Sequence, residues 1–261
     1  MTTNTKEDGL ESLIVDYLVN GNHYERGTNS DYNKEFALDE TRLFRFMVRT
    51  QSDKLETLHI QDSDLQRNKF LNKLKQELAD RGIIDVLRKG MRYLHSRLDF
   101  YYVTPSPDNY KAKELYSENI FSVTRQLKYS KEYPNMALDM VVFINGLPVA
   151  TFELKNQFTK QNVYDAVHQY KTDRDPKETI FNFKRCAVHF ALDDNEVRMC
   201  TRLSGKSSWL LPFNKGRNNG AGNPDNPDGI KTDYLWKEIL SQKELSYIIE
   251  NFSQVVSEKD E

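Results

Sequence analysis

Asp139, Glu153 and Lys155 lie in one short apolar stretch, LDMVVFINGLPVATFELK (138–155). An acid opens the first apolar run, Asn145-Gly146 turns the chain, and the second run ends in Glu-Leu-Lys. Residues two apart on a strand share a face. Glu153 and Lys155 therefore point together, and Leu154 points to the other side. Two neighbouring carboxylates suit Mg²⁺, which takes hard oxygen ligands and keeps several waters. Such an ion polarises a phosphoryl oxygen and lowers the pKa of a bound water. A lysine beside it can orient or help deprotonate the attacking water and offset charge developing on phosphate. The spacing predicts hydrolysis of a phosphodiester bond. The same letters also suit an ordinary charged strand end, with Asp139 as a strand-entry residue. However, the flanking runs are apolar enough to be buried on both faces, and an acid there needs a reason.

Whether Asp139 joins Glu153 depends on the turn. A plain two-residue loop at Asn145-Gly146 sets Asp139 opposite Phe152 and aims the two carboxylates to opposite faces. A three-residue loop or a bulge shifts the pairing by one and brings them to one face. Gly146 followed by Leu147-Pro148 favours the irregular solution, because Gly accepts the left-handed conformation and Pro lacks a ladder donor. An odd-length loop or a bulge is expected.

The elements that must position this hairpin can be read on either side of it. Residues 9–20, with Leu10, Leu13, Ile14, Tyr17 and Leu18 on one face, predict a helix stopped by Asn20-Gly21. Further helices are expected over 38–50, with Asp39 as N-cap, over 62–79, and in a shorter piece to Lys89. LDFYYV (98–103) reads as a strand, as do 119–130, 138–144 and 148–154. A helix over 161–173 and a hairpin of 185–192 with 196–202 follow. GRNNGAGNPDNPDG (216–229) reads as a mobile loop or linker, and 232–252 returns to helix. The expected fold is α/β, a central mixed β-sheet flanked by helices, with an N-terminal helical section. Its parts are a helical region of about 1–92, a sheet region of about 93–215, a loop at 216–231 and a helical segment at 232–261.

The 261 residues carry a formal net charge of -2, so a whole-chain field would not gather nucleic acid and any DNA contact needs a local basic face. Residues 155–215 supply one candidate, with eleven Lys/Arg against seven Asp/Glu. Lys160, Lys171, Arg174, Lys184, Arg185, Arg202 and Lys206 could meet phosphates there, although a solvated mixed-charge surface also explains them. Lys206 sits in a polar loop, Leu203-Ser204-Gly205-Lys206-Ser207. Cys186 and Cys200 are the two cysteines and read as buried reduced thiols on neighbouring strands. His168 and His189 read as structural. The polar start, MTTNTKEDG, has no signal-peptide core, and no apolar run nears the ~18 residues of a membrane span. A cytoplasmic protein is expected.

The carboxylate, hairpin and Glu-x-Lys resemble the PD-(D/E)xK nuclease superfamily. The segments ALDMVVFINGLPVATFELKN, DAVHQYKTDRDP, FKRCAVHFALDDNEVRMCTRL and LPFNKGRNNGAGNP resemble the N-terminal region of the R subunit of type I restriction-modification enzymes. The resemblance covers most of the chain and is strongest over about 130–230. It implies a restriction-endonuclease-like fold and a Mg²⁺-dependent, largely sequence-independent endonuclease. It implies an ATP-driven motor in the same polypeptide, and methyltransferase and specificity subunits as partners alongside DNA. No GxxxxGK[ST] loop occurs here, so ATP is expected to serve the motor and not to bind this chain. By resemblance Asp139 matches the metal-binding aspartate, and Glu153 and Lys155 match the E-x-K. Glu11 is the candidate acid from the first helix, or else a favourable charge in a first helical turn. Related nucleases carry Gln-x-x-x-Tyr after the E-x-K. Here the spacing departs, with Gln169 and Tyr170 adjacent. These two, with Lys171 and Lys206, are the candidates for DNA contact or site support. Alternatively Tyr170 packs with Val163 and Val167. The rival to a nuclease is a non-catalytic DNA-binding or subunit-docking module.

Overall fold

The computed structural model describes residues 7–156 and 161–253. Lys160 lies outside the described residues. The seven α-helices among them are α1 (Glu7–Asn20), α2 (Glu40–Thr57), α3 (Asp64–Arg81), α4 (Ile83–Lys89), α5 (Tyr110–Ser117), α6 (Val163–Thr172) and α7 (Gln242–Tyr247). The main sheet takes β1 (Glu25–Arg26), β6 (Phe121–Lys128), β7 (Ala137–Ile144), β8 (Leu147–Leu154), β9 (Val188–Leu192), β10 (Val197–Cys200) and β11 (Leu211–Pro212), in the spatial order β1-β6-β7-β8-β9-β10-β11. Two small ribbons, β2 (Tyr32–Asn33) with β3 (Leu38–Asp39) and β4 (Met91–Tyr93) with β5 (Ser96–Leu98), stand apart. The sheet is mixed. β1 pairs parallel to β6, and β8 parallel to β9, while the other neighbours are antiparallel.

Alternation along β7 explains the layering. Met140, Val142 and Ile144 face one core, with Leu10, Ile14 and Leu18 of α1, Phe46 of α2 and Phe70 of α3. Val141 and Phe143 face a second core, with Val163, Ala166 and Tyr170 of α6. A sheet covered on both faces requires apolar residues at nearly every position of its central strands, and every residue of β8 is buried. The parallel pairing of β8 with β9 needs a crossover, which α6 supplies.

Asp39 caps α2 as expected, its carboxylate accepting from the Arg42 amide at 2.9 Å. α2 runs past the expected end, with a break at Gln51 (φ -149°). That break explains why 98–103 is not a strand. Gln51 exchanges hydrogen bonds with the backbone of Asp99 (2.9 and 2.8 Å), and Asn119 does the same with Tyr102 (3.1 and 2.7 Å). Side-chain amides replace a neighbouring strand there, and only Leu98 of LDFYYV is in a strand. The aromatic residues are apolar anchors instead, with Phe100 and Tyr101 buried.

The Gly/Asn-rich stretch is internally bonded. Gly216 donates to Gly222 at 2.8 Å, and the Asn223 side chain donates to the Asn195 carbonyl at 2.8 Å. Residues 232–252 form α7 between two wide helical turns, not one helix. They belong to the first core. Trp236 is fully buried, and Asn22, Tyr24 and Arg88 donate to the carbonyls of Trp236, Leu240 and Ile249 at 2.7, 2.9 and 2.6 Å. Both cysteines are free and buried, and among the described residues no helix is long and apolar enough to cross a membrane.

Candidate active site

The β7–β8 hairpin sets the geometry. Asn145 (φ 50°) and Gly146 (φ 79°) both have positive φ, the signature of a two-residue type I′ turn. A Cβ on Gly146 would stand 2.2 Å from the Asp39 carbonyl, so the turn tolerates no side chain there. Asn145 is fully buried. Its side-chain Oδ1 accepts from the Ile120 amide at 2.6 Å, and its Nδ2 donates to the Phe100 carbonyl and to Asn119 Oδ1, both at 2.9 Å. The turn itself pairs Phe143 with Pro148, but Val142 pairs with Ala150. Val149 is therefore bulged, and the expected irregularity is a bulge beyond a two-residue turn. Met140 then pairs with Phe152, and the ladder continues to place Asp139 opposite Glu153 on one face. Asp139 Oδ2 accepts from the Leu154 amide at 2.7 Å, which fixes this end of the hairpin.

Glu153 is fully buried on the side of Thr151 and α6. Its Oε1 accepts from Arg174 Nε at 2.6 Å, while Oε2 has no hydrogen-bond partner among the described residues. Burial, and then the charge of Asp139, push its carboxyl up to about 8, against the opposing pull of Arg174 and Lys155. Arg174 follows α6 directly. It also donates to the Ala137 carbonyl at 2.8 Å and lies over the Tyr129 ring. Arg174 is thus a buried partner of Glu153, not a surface phosphate contact. Arg185 is likewise buried, donating to the Ala37 carbonyl at 3.1 Å. Lys155 is 9% exposed, and its amide donates to the Leu192 carbonyl at 2.9 Å, extending the β8–β9 pairing.

Glu11 is 3% exposed and reaches from α1 to β6. Its Oε1 accepts from Arg125 Nε at 2.7 Å and its Oε2 from Gln126 Nε2 at 3.0 Å. Gln126 Nε2 also stands 3.4 Å from Asp139 Oδ1. Glu11 thus connects to the hairpin through Gln126. Among the described residues, no three His, Cys, Asp or Glu side chains converge as a ready-made cation cage. A Mg²⁺ ion needs only one or two carboxylates with waters. An orphaned, buried carboxylate oxygen beside a second acid fits such an ion, because a cation would relieve both the missing partner and the repulsion.

Tyr170 is fully buried, with its hydroxyl 2.8 Å from Thr151 Oγ1, which also lies 2.7 Å from His189 Nδ1. It packs with Val163 and Val167, as the simpler reading of its position holds. Gln169 and Lys171 are half-buried on α6, and Lys206 is exposed on a turn closed by Ser204 and Ser208. A Cβ on Gly205 would lie 4.0 Å from the Lys171 carbonyl, so this turn abuts the end of α6. Gln126 and Arg174 escaped the sequence reading as site residues. Gln126 carried no motif, and Arg174 looked like one of many surface cations.

Comparison with known proteins bears on this arrangement. A family described as "Type I restriction enzyme R protein N terminus" matches residues 4–208. The chain is 29% identical over 184 residues to a protein of Methanocaldococcus jannaschii named as the type I restriction enzyme MjaVIIIP endonuclease subunit, covering 68% of this chain and 15% of that one. It is 32% identical over 78 residues to the similarly named MjaIXP subunit of the same organism, covering 29% of this chain and 8% of that one. The chain therefore spans a small part of the relatives it matches.

Proposed function

Because the chain belongs to the family of type I restriction enzyme R protein N termini, we propose that it is the DNA-cutting module of such an enzyme. In this reading Asp139 and Glu153 would hold Mg²⁺, which would supply an activated water and polarise the scissile phosphate. Asp139 is half-buried and oriented by the Leu154 amide. Arg174 occupies one Glu153 oxygen and leaves the other for the ion. Lys155 orients the attacking water and offsets charge on phosphate. Lys171 and Lys206 meet the DNA backbone near the end of α6, with Gln169 beside them on that helix. Tyr170 supports the site from the core through Thr151.

The observation that carries this reading is Glu153, a buried carboxylate with an unpartnered oxygen, opposite Asp139 and two residues before Lys155. A docking surface gains nothing from burying such a group, which costs free energy unless it is paired. In the full-length subunit a motor driven by ATP would bring this module to its cut site, with methyltransferase and specificity subunits choosing the sequence.

Plasmid cleavage by the assembled full-length enzyme, with ATP and Mg²⁺, tests the reading. Lys155→Ala should hydrolyse ATP at the wild-type rate and leave the plasmid uncut. Normal cutting by that variant would favour a docking role for this chain.

A further inference from the structure

Gln126 is the one residue inside a strand, among those described, with a left-handed backbone (φ 45°) and a side chain. Such a conformation disfavours any residue with a Cβ, and when the surrounding structure enforces it the reason is often functional. The enforcement is visible on both sides. Arg125 pairs with Met140 and Leu127 with Leu138, so the register is kept while Gln126 itself drops out of the ladder opposite Asp139. An extended Gln126 would point to the face of Asp139 and away from α1. The left-handed backbone lets one amide reach both faces, donating to Glu11 at 3.0 Å with Asp139 at a longer 3.4 Å.

That position has a chemical meaning. An N–H group placed between two carboxylates stands where a cation would stand. The other end of the same amide is a carbonyl oxygen, a hard donor of the kind Mg²⁺ and Mn²⁺ accept. Gln126 is exposed, so its amide lies at the solvent side of the site, whereas Glu11 and Glu153 are held in the interior.

We propose that Gln126 is a ligand-bearing member of the cation site: its amide holds Glu11 and Asp139 together without metal, and it turns its carbonyl oxygen to the ion when one binds. The proposal rests on the cation-binding reading of Asp139 and Glu153. It adds a neutral oxygen donor to a site where no third acid converges among the described residues, and it gives α1 a link to the ion.

Mn²⁺ titration calorimetry of the 261-residue chain separates the two ideas. Four proteins are compared: wild type, Asp139→Asn, Gln126→Met and Gln126→Glu, each checked for its fold by circular dichroism. Loss of binding in Asp139→Asn is expected from the cation reading alone. Gln126→Met should weaken Mn²⁺ by about tenfold or more, and Gln126→Glu, which keeps an oxygen but loses the donor, should bind at least as tightly as wild type. A merely structural hydrogen-bonding role would harm both Gln126 variants alike. Wild-type affinity in Gln126→Met, or equal weakening in both variants, overturns the proposal while leaving the cation reading in place. Unchanged binding in Asp139→Asn, or no binding by wild type, overturns both.

Discussion

Asp139 lies opposite Glu153 because Val149, four residues before Glu153, is bulged out of the ladder. Without the bulge, the two-residue turn at Asn145-Gly146 would set Asp139 against Phe152 and send the acids to opposite faces of the sheet. Whether Val149 stands in or out of the ladder therefore decides which face of the sheet Glu153 takes.

Deleting Val149 should remove the bulge and leave Asp139 opposite Glu153, because Ala150 would then follow Pro148 directly into the ladder. The expected result is a chain that keeps its helical circular dichroism and binds Mn²⁺ in calorimetry as wild type does. Loss of binding in a folded deletion variant would show that the bulge does more than set this register.

The buried pair of Arg174 and Glu153 makes a second prediction, about stability. Removing one partner from such a pair leaves the other buried without its hydrogen bond and counter-charge, at a cost of roughly 3 kcal/mol. Arg174→Met should lose about that much in urea unfolding, and the double variant Arg174→Met/Glu153→Gln should recover most of it. Additive losses would mean that the 2.6 Å contact contributes no coupling.

The hairpin and its flanking helices were legible in the sequence because periodicity and turn chemistry are local. Leu10, Ile14 and Leu18 lie on one face of α1 whatever the tertiary fold, and Asn145-Gly146 specifies its own turn. LDFYYV misled because its apolar residues do pack in the core, while its backbone is satisfied by Gln51 and Asn119, which are 48 and 17 residues away from their bonding partners. Nothing local announces such partners. The same limit applies at the site. Asp139, Glu153 and Lys155 are close in sequence and carry a pattern, whereas Arg174 reaches Glu153 from the end of a crossover helix. Gln126 is set apart by a backbone angle that its residue type does not foretell.

His189, which shares the Thr151 hydroxyl with Tyr170, gives a pH-dependent prediction. Burial pushes its imidazole down to about 3. The unfolded chain takes up a proton near the ordinary value of about 6.5, and the folded chain does not. Between those values the unfolded state binds more protons, so stability rises with pH. The contribution is complete above about 6.5 and is lost as pH falls toward 3. The stability difference between wild type and His189→Asn should therefore shrink by up to about 1.4 kcal/mol per pH unit below that point. A constant difference from pH 7 to pH 5 would show that His189 charges freely in the folded protein.

The exposed Lys206 is assigned to phosphate contact. Lys206→Ala should weaken binding to DNA of any sequence and lower the slope of log affinity against log salt by about 1. An unchanged slope would return Lys206 to the ordinary solvated surface.

The account turns on a divalent cation between Asp139 and Glu153. Anomalous diffraction from a crystal of this chain soaked in Mn²⁺ observes that ion directly. The expected result is a peak about 2.1–2.3 Å from Glu153 Oε2 and an Asp139 oxygen, with Arg174 still bonded to Oε1. Manganese peaks elsewhere in the crystal, with none between these two carboxylates, would contradict the assignment.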